Sequence, residues 1–319
     1  MINKEKILII GCGIISQNMH IPAITKFFKK ENIFLVDSNI ETLKFISKKY
    51  NIDNYYADIN DINVQNFKFI LIALPYNLNF SFLTKLIPAN VKILCEKPVV
   101  STYSEYLSIK LLLESHNSEI FINQTRRFSS MAIDVRQKIK ENYFQKSLGS
   151  IKSIFYSDGS KFDWDSNSAF YFKNKFGVML DRGPHALDLI SWLIDEKLEL
   201  NNFHKDSKDI FPESHIHLDL ISSKNKIPID VTLSWKHKLA NQVVIHFEKG
   251  KVVFGVNDFN SYQLHKDNSK KTFMFSDGTL TYYDLGTKVI HSFLNEGKDK
   301  VSFFDVENSI KLISEVYEK

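Results

Sequence analysis

Several things are scarce in this sequence, and each shortage removes a class of protein. The 319 residues include only two cysteines, Cys12 and Cys95. They are far apart and form no C-x-x-C, so neither a disulfide framework nor a cysteine zinc site is supported, and a reducing, cytoplasmic setting is the expectation. No apolar run reaches the roughly 18 residues that a membrane-spanning helix needs. The stretch from Lys4 to Ile15 imitates a signal peptide, but Ser16, Gln17, Asn18 and His20 follow where small cleavage-site residues should stand, which favours a buried strand. The net charge is only +4, with 41 Lys plus Arg against 37 Asp plus Glu and no basic block. The electrostatic footprint of a nucleic-acid binder is therefore missing. With 11 glycines and 7 prolines there is no collagen-like or low-complexity segment. Arginine is the last scarcity: Arg126, Arg127, Arg136 and Arg182 are the only ones in a lysine-dominated chain. A planar fork that grips carboxylate or phosphate is one reason to keep them, and drift is the other.

What is present is enough for a packed protein. Hydrophobic residues make up 44%, and at roughly 150 residues per domain the length predicts two domains. Through the first 123 residues short apolar runs alternate with helix-length segments. The runs are Lys6 to Ile10, Ile33 to Val36, Asn54 to Tyr56, Phe69 to Ala73, Val91 to Cys95 and Ile120 to Ile122. Between them lie amphipathic segments such as Ile40 to Tyr50 and Ser104 to Ser115, the latter with Leu107, Leu111 and Leu112 at helical spacing. This alternation predicts a doubly wound parallel sheet over residues 1–123, and six strands is the count of a full dinucleotide-binding domain.

Residues 124–319 read differently. A helix is expected from Ser129 to Tyr143, with Met131, Val135 and Ile139 on one face. Strand-like runs then dominate: Ile151 to Tyr156, Ile216 to Ile221, Ile229 to Trp235, Val243 to Phe247 and Val252 to Val256. A helix from Val178 to Ile194 interrupts a largely antiparallel sheet, and Asp305 to Tyr317 closes the chain as a helix striped by Val306, Ile310, Ile313 and Val316.

The chemistry starts at Gly11-Cys12-Gly13-Ile14-Ile15-Ser16, which follows the first strand and opens a helix. In that context glycines let the backbone approach a pyrophosphate at a helix N-terminus. Ser16 takes the third small position. Asp37, 21 residues after Ser16 (37 − 16) and at the end of the second strand, is placed to accept from an adenosine ribose, which favours NAD over NADP. Cys95-Glu96-Lys97-Pro98 follows the fifth strand, outside the carboxyl ends of the sheet, where open α/β folds bind ligands. Further on, Asp181-Arg182-Gly183-Pro184-His185-Ala-Leu-Asp188 reads as the start of a helical turn. That start would place His185 at the positive end of a helix dipole, which favours the neutral imidazole that can take a proton. Asp181 could orient the ring or bind the same hydroxyl.

These blocks, in this order, resemble the Gfo/Idh/MocA family of glucose-fructose oxidoreductase, inositol dehydrogenase and rhizopine catabolism proteins. Ala73-Leu74-Pro75, Arg127-Phe128 and the closing helix ending at Tyr317 share the resemblance. It implies a Rossmann domain followed by an α/β domain with an open, mostly antiparallel sheet that supports a homodimer or homotetramer. It implies catalytic roles for Lys97 at the reacting oxygen, His185 as acid/base and Asp181 as its helper. It also implies cofactor contacts from Gly11, Gly13, Ile14, Ile15, Asp37, Leu74, Pro75, Asn79, Glu96 and Lys97, and substrate contacts from Arg127 and Arg182. Two residues depart from the pattern: Asn79 stands where many members have a histidine, and Phe176 replaces a glycine before Val178.

The function so implied is hydride transfer between NAD and a secondary alcohol or ketone of a sugar, polyol or nucleotide-linked sugar. An NAD-retaining elimination enzyme and a non-catalytic sensor of the same fold are the alternatives. Retention of Lys97, Asp181 and His185 together argues against the sensor. His215, His217 and Asp219 alternate along a strand, which is the pattern of a half-buried strand, and no metal site is expected. Trp235, Tyr282 and Tyr283 read as sheet packing.

Overall fold

The computed structural model describes residues 4–161, 177–206, 213–275, 282–295 and 300–318. The chain divides into two units, Met1–Thr125 with Tyr283–Glu307, and Arg126–Tyr282 with Asn308–Lys319.

In the first unit, strands β1 (Ile7–Ile10), β2 (Ile33–Val36), β3 (Asn54–Tyr56), β4 (Phe69–Ile72), β5 (Lys92–Cys95) and β6 (Glu119–Ile122) form a parallel sheet in the order β3-β2-β1-β4-β5-β6. β1 lies between β2 and β4, in register Ile7 to Ile33 and Ile7 to Phe69. The chain order reverses at that point, so the crevice at the carboxyl end of β1 is the expected ligand position. β1 and β4 are buried along their whole length, as strands covered on both faces must be. The Ile40–Tyr50 helix starts at Asn39, whose side chain accepts from the N–H groups of Glu41 and Thr42. A capping box of Thr102 and Glu105 starts the Tyr103–Glu114 helix.

That helix corrects one expectation. Leu107 and Leu111 are 42% and 66% exposed, while Tyr106 and Ile109 are buried. The Tyr106 ring stacks on Phe303 at 4.5 Å between centroids, so a residue far along the chain selects the buried face. The returning segment also contributes the Leu285–Leu294 helix, which sequence reading leaves unassigned. Its Phe293 ring packs edge-on against Phe69 and Phe121.

In the second unit, β7 (Ile151–Gly159), β8 (Leu198–Lys205), β9 (His215–Ser222), β10 (Pro228–Ser234), β11 (Gln242–Phe247), β12 (Gly250–Gly255), β13 (Ser261–Lys266) and β14 (Ser269–Met274) form one sheet. The order is β14-β13-β12-β11-β7-β10-β9-β8. Its pairs are antiparallel except β7 with β10. Ile216, Leu218 and Leu220 of β9 are buried while His215, His217 and Asp219 face away, as the alternation predicts. The three strands missed from sequence, β8, β13 and β14, lie at the sheet's two ends. β14 is almost wholly exposed, so no burial requirement writes a hydrophobic period into it. The helix expected from Ser129 to Tyr143 is two, Ser130–Lys140 and Tyr143–Leu148, separated at Asn142 with φ +58°. The first buries Met131, Val135 and Ile139 as expected. Among the described residues no helix is long and apolar enough to cross a membrane.

Candidate functional site

In the first unit the glycine turn is built by close approach. At Gly11, φ is +90° and a Cβ would lie 2.4 Å from the Ala73 carbonyl oxygen, so only glycine fits. At Gly13 a Cβ would meet nothing within 4 Å, and this open, exposed backbone is where a pyrophosphate can rest. Ser16 is buried and its Oγ donates to the Gly11 carbonyl at 2.5 Å. A short π-helical stretch, Ser16–His20, follows. Asp37, just beyond β2, accepts from the N–H of Cys12 at 2.7 Å and of Asn39 at 2.8 Å. Each bond occupies one lone pair, so the carboxylate keeps capacity for ribose hydroxyls. Ile14 is 75% exposed and Ile15 half-buried beside this turn. Leu74 and Pro75 follow β4, with Pro75 at the start of the Tyr76–Leu86 helix. The turn, the open space at Gly13 and the fixed acid fit a dinucleotide.

Past β5 the Lys97–Pro98 peptide is cis and the Lys97 side chain is half-buried. Asn79 is buried and its Nδ2 donates to the Pro98 carbonyl at 3.0 Å. Glu96, expected at the cofactor, turns its carboxylate inwards. Its Oε1 lies 2.7 Å from His20 Nε2 and 2.5 Å from Asn123 Nδ2, and its Oε2 accepts the Lys97 N–H at 3.2 Å. Burial opposes its charge, but the bonds from His20 and Asn123 and the nearby Lys97 hold the carboxyl below the ordinary glutamate value.

In the second unit the Val178–Ile194 helix has the expected bounds, and they correct the reading of His185. The helix starts at Val178, with Pro184 inside it, so His185 lies two turns in and Asp181 takes the first turn. The dipole argument for a neutral His185 therefore lapses, because the effect fades beyond the first turn. Asp181 and His185 are four residues apart and share one helix face. His185 is buried and Asp181 half-buried. The indole N–H of buried Trp235 donates to Asp181 Oδ2 at 3.2 Å, so Trp235 does more than pack the sheet. Tyr283, by contrast, is exposed in a 3-10 turn; the Tyr282 side chain and Phe176 lie outside the described residues.

The helix start is held by Glu213, whose carbonyl accepts from Val178 N–H and whose Oε1 accepts from Met179 N–H at 3.0 Å and Tyr317 OH at 2.7 Å. Burial pushes the Glu213 carboxyl above its ordinary value. Arg127 and Arg182, expected at the substrate, both bond carboxylates of this unit. Arg127 forms a bidentate pair with Asp188 at 2.8 and 2.5 Å, and Arg182 bonds Asp158 at 2.6 Å and Ser160 at 2.7 Å. Arg126 reaches the other Asp158 oxygen at 3.1 Å, and Arg136 bonds the Trp192 carbonyl and stacks on its ring. His217 bonds Thr232 Oγ1 at 3.1 Å, and among the described residues no cluster of three His, Cys, Asp or Glu could hold a metal ion.

Sequence reading missed His20, Asn123, Asp158 and Glu213. Each is an isolated polar residue whose partner is remote in the chain, which leaves no local pattern to find.

Residues 5–124 match the GFO_IDH_MocA model, described as an oxidoreductase family with an NAD-binding Rossmann fold. The first domain is therefore similar to the NAD-binding domain of that oxidoreductase family. The sequence matches no curated protein. Among solved structures, the WlbA dehydrogenase from Bordetella pertussis, in complex with NADH and UDP-GlcNAcA, is 18% identical with a TM-score of 0.78, covering 100% of this chain and 96% of that one. A levoglucosan dehydrogenase, in complex with NADH and levoglucosan, is 16% identical at TM-score 0.82, covering 99% and 98%. An aldose-aldose oxidoreductase from Caulobacter crescentus, complexed with glycerol, is 15% identical at TM-score 0.83, covering 99% and 97%. These likenesses show the fold, a parallel Rossmann sheet followed by a second, mostly antiparallel sheet.

Proposed function

We propose that this protein interconverts a secondary alcohol and a ketone on a sugar, polyol or nucleotide-linked sugar, with NAD in preference to NADP. Bound NAD supplies the hydride acceptor or donor. Gly11, Gly13, Ile14, Ile15, Asp37, Leu74 and Pro75 hold the cofactor, and the second unit binds the substrate and carries self-association. Lys97 donates a hydrogen bond to the reacting oxygen and stabilises charge that develops there. His185 takes the hydroxyl proton in oxidation and returns it in reduction. Asp181, fixed through Oδ2 by Trp235, helps hold the substrate hydroxyl beside His185.

The observation that carries this reading is the pairing of Asp181 and His185 on one face of a helix anchored at its start and along its length. The neighbours' bound ligands, UDP-GlcNAcA and levoglucosan, support the substrate class. Arg127 and Arg182 each give two of their five N–H donors to groups of the second unit, and holding that unit is the role assigned to them.

The test is a panel of polyols, aldoses and nucleotide sugars followed by NADH absorbance. At least one alcohol should be oxidised, with kcat/KM rising with pH through a single ionisation that disappears, with most of the activity, in His185→Ala. Full activity in His185→Ala would assign the proton to another residue.

A further inference from the structure

The loop after β5 rests on polar side chains that the proposed chemistry does not use. His20, Asn79 and Asn123 are fully buried and Glu96 is 8% exposed. They come from separate elements: the π-helical stretch, the Tyr76–Leu86 helix, the end of β6 and the loop itself. Polar groups at that depth cost stability unless they are bonded, and these converge on two points of the loop.

One point is the Glu96 carboxylate. An ionised carboxylate only accepts, so the proton of the His20 bond sits on Nε2. His20 and Asn123 together fill both lone pairs of Oε1, and the Lys97 N–H reaches Oε2. The other point is the Pro98 carbonyl, held by Asn79. The residue before Lys97 and the residue after it are thus both tethered to the interior. A glutamate that met a ribose hydroxyl would need an outward-facing oxygen, and this carboxylate faces His20 and Asn123.

We propose that Glu96 is a positioning residue for Lys97: its buried carboxylate, clamped by His20 and Asn123, fixes the path of the loop that presents the Lys97 ammonium, and it does not touch the cofactor. The proposal rests on the role given to Lys97 above. It separates the two acids of the first unit, with Asp37 serving the ribose and Glu96 serving the loop.

The experiment compares the full-length protein with Glu96→Gln and His20→Leu, using three readings. These are NAD affinity by fluorescence titration, kcat and KM on the alcohol found by the panel, and hydrogen exchange of the amides of residues 96–100. The expected result is faster exchange in that segment and a kcat lower by roughly tenfold or more, the scale of a misplaced catalytic group. NAD affinity should stay within about twofold and KM should hold, because the clamp touches neither ligand. NAD binding weakened roughly tenfold with native exchange would overturn the proposal and make Glu96 a cofactor contact. Native exchange with native kcat would overturn it as well, reducing the cluster to core filling. If Glu96→Gln fails to fold, His20→Leu, which keeps the carboxylate and removes one donor, gives the same readings in smaller measure. If no alcohol in the panel is oxidised, the functional reading fails by itself, while exchange and NAD binding still decide whether Glu96 holds the loop.

Discussion

The two units hold their functional side chains by different means. In the first, the Lys97 loop is tied down by a histidine and an amide on the buried Glu96 carboxylate and by a second amide on the Pro98 carbonyl. In the second, the helix bearing Asp181 and His185 is pinned by arginine forks, at Asp158, at Asp188 and at the Trp192 carbonyl. All four arginines of the chain lie in the second unit. The difference teaches that scarce arginine here serves internal geometry. A fork can hold a carboxylate in a fixed plane, which a lysine in the same place cannot.

The sharpest break of this comparison is Arg127→Ala. It leaves Asp188 buried without its counter-charge, and removing one partner of a buried pair costs about 3–5 kcal/mol. Urea denaturation should show that loss, and a double Arg127→Leu, Asp188→Leu variant should recover most of it. A raised KM at unchanged stability would instead return Arg127 to the substrate.

Lys97→Ala should show the opposite profile, with stability near native. Its kcat should fall roughly 10²-fold, as for a lost oxyanion donor. Normal turnover would make Lys97 an ordinary loop lysine.

A smaller effect is expected at Asp37. Replacing it by alanine should narrow the preference for NAD over NADP by roughly tenfold, the factor that about 1.4 kcal/mol gives. Titration of both cofactors checks this, and an unchanged ratio would remove Asp37 from the ribose.

The smallest is a pH effect in the second unit. Burial would raise the Asp206 carboxyl, but the Lys236 ammonium and the donors of His215 and Ser214 bring it down to about 2. A carboxylate lowered in the folded state adds stability above its unfolded pKa and loses it as pH falls through the folded value. Stability should therefore decline as pH drops from about 4 towards 2, and Asp206→Asn should flatten that decline. An identical decline in the variant would place the sensitivity elsewhere.

Much of this was legible in the chain. The six strands of the first unit were readable because a sheet buried on both faces demands continuous apolar runs. Gly11 and Gly13 were readable because close backbone approach leaves few residue choices, and the Val178–Ile194 helix was readable because its burial writes a helical period. Those features are local, and composition and spacing alone determine them. Which face of the Tyr103–Glu114 helix is buried depended on Phe303. The return of residues 283–307 to the first unit depended on aromatic packing against Phe69 and Phe121. Whether Glu96 faces a ligand or the interior was decided by His20 and Asn123, and whether Arg127 and Arg182 reach outwards by Asp188 and Asp158. Each of these outcomes is a choice of partner between residues remote in sequence, and only the folded chain brings those partners within hydrogen-bonding or van der Waals reach.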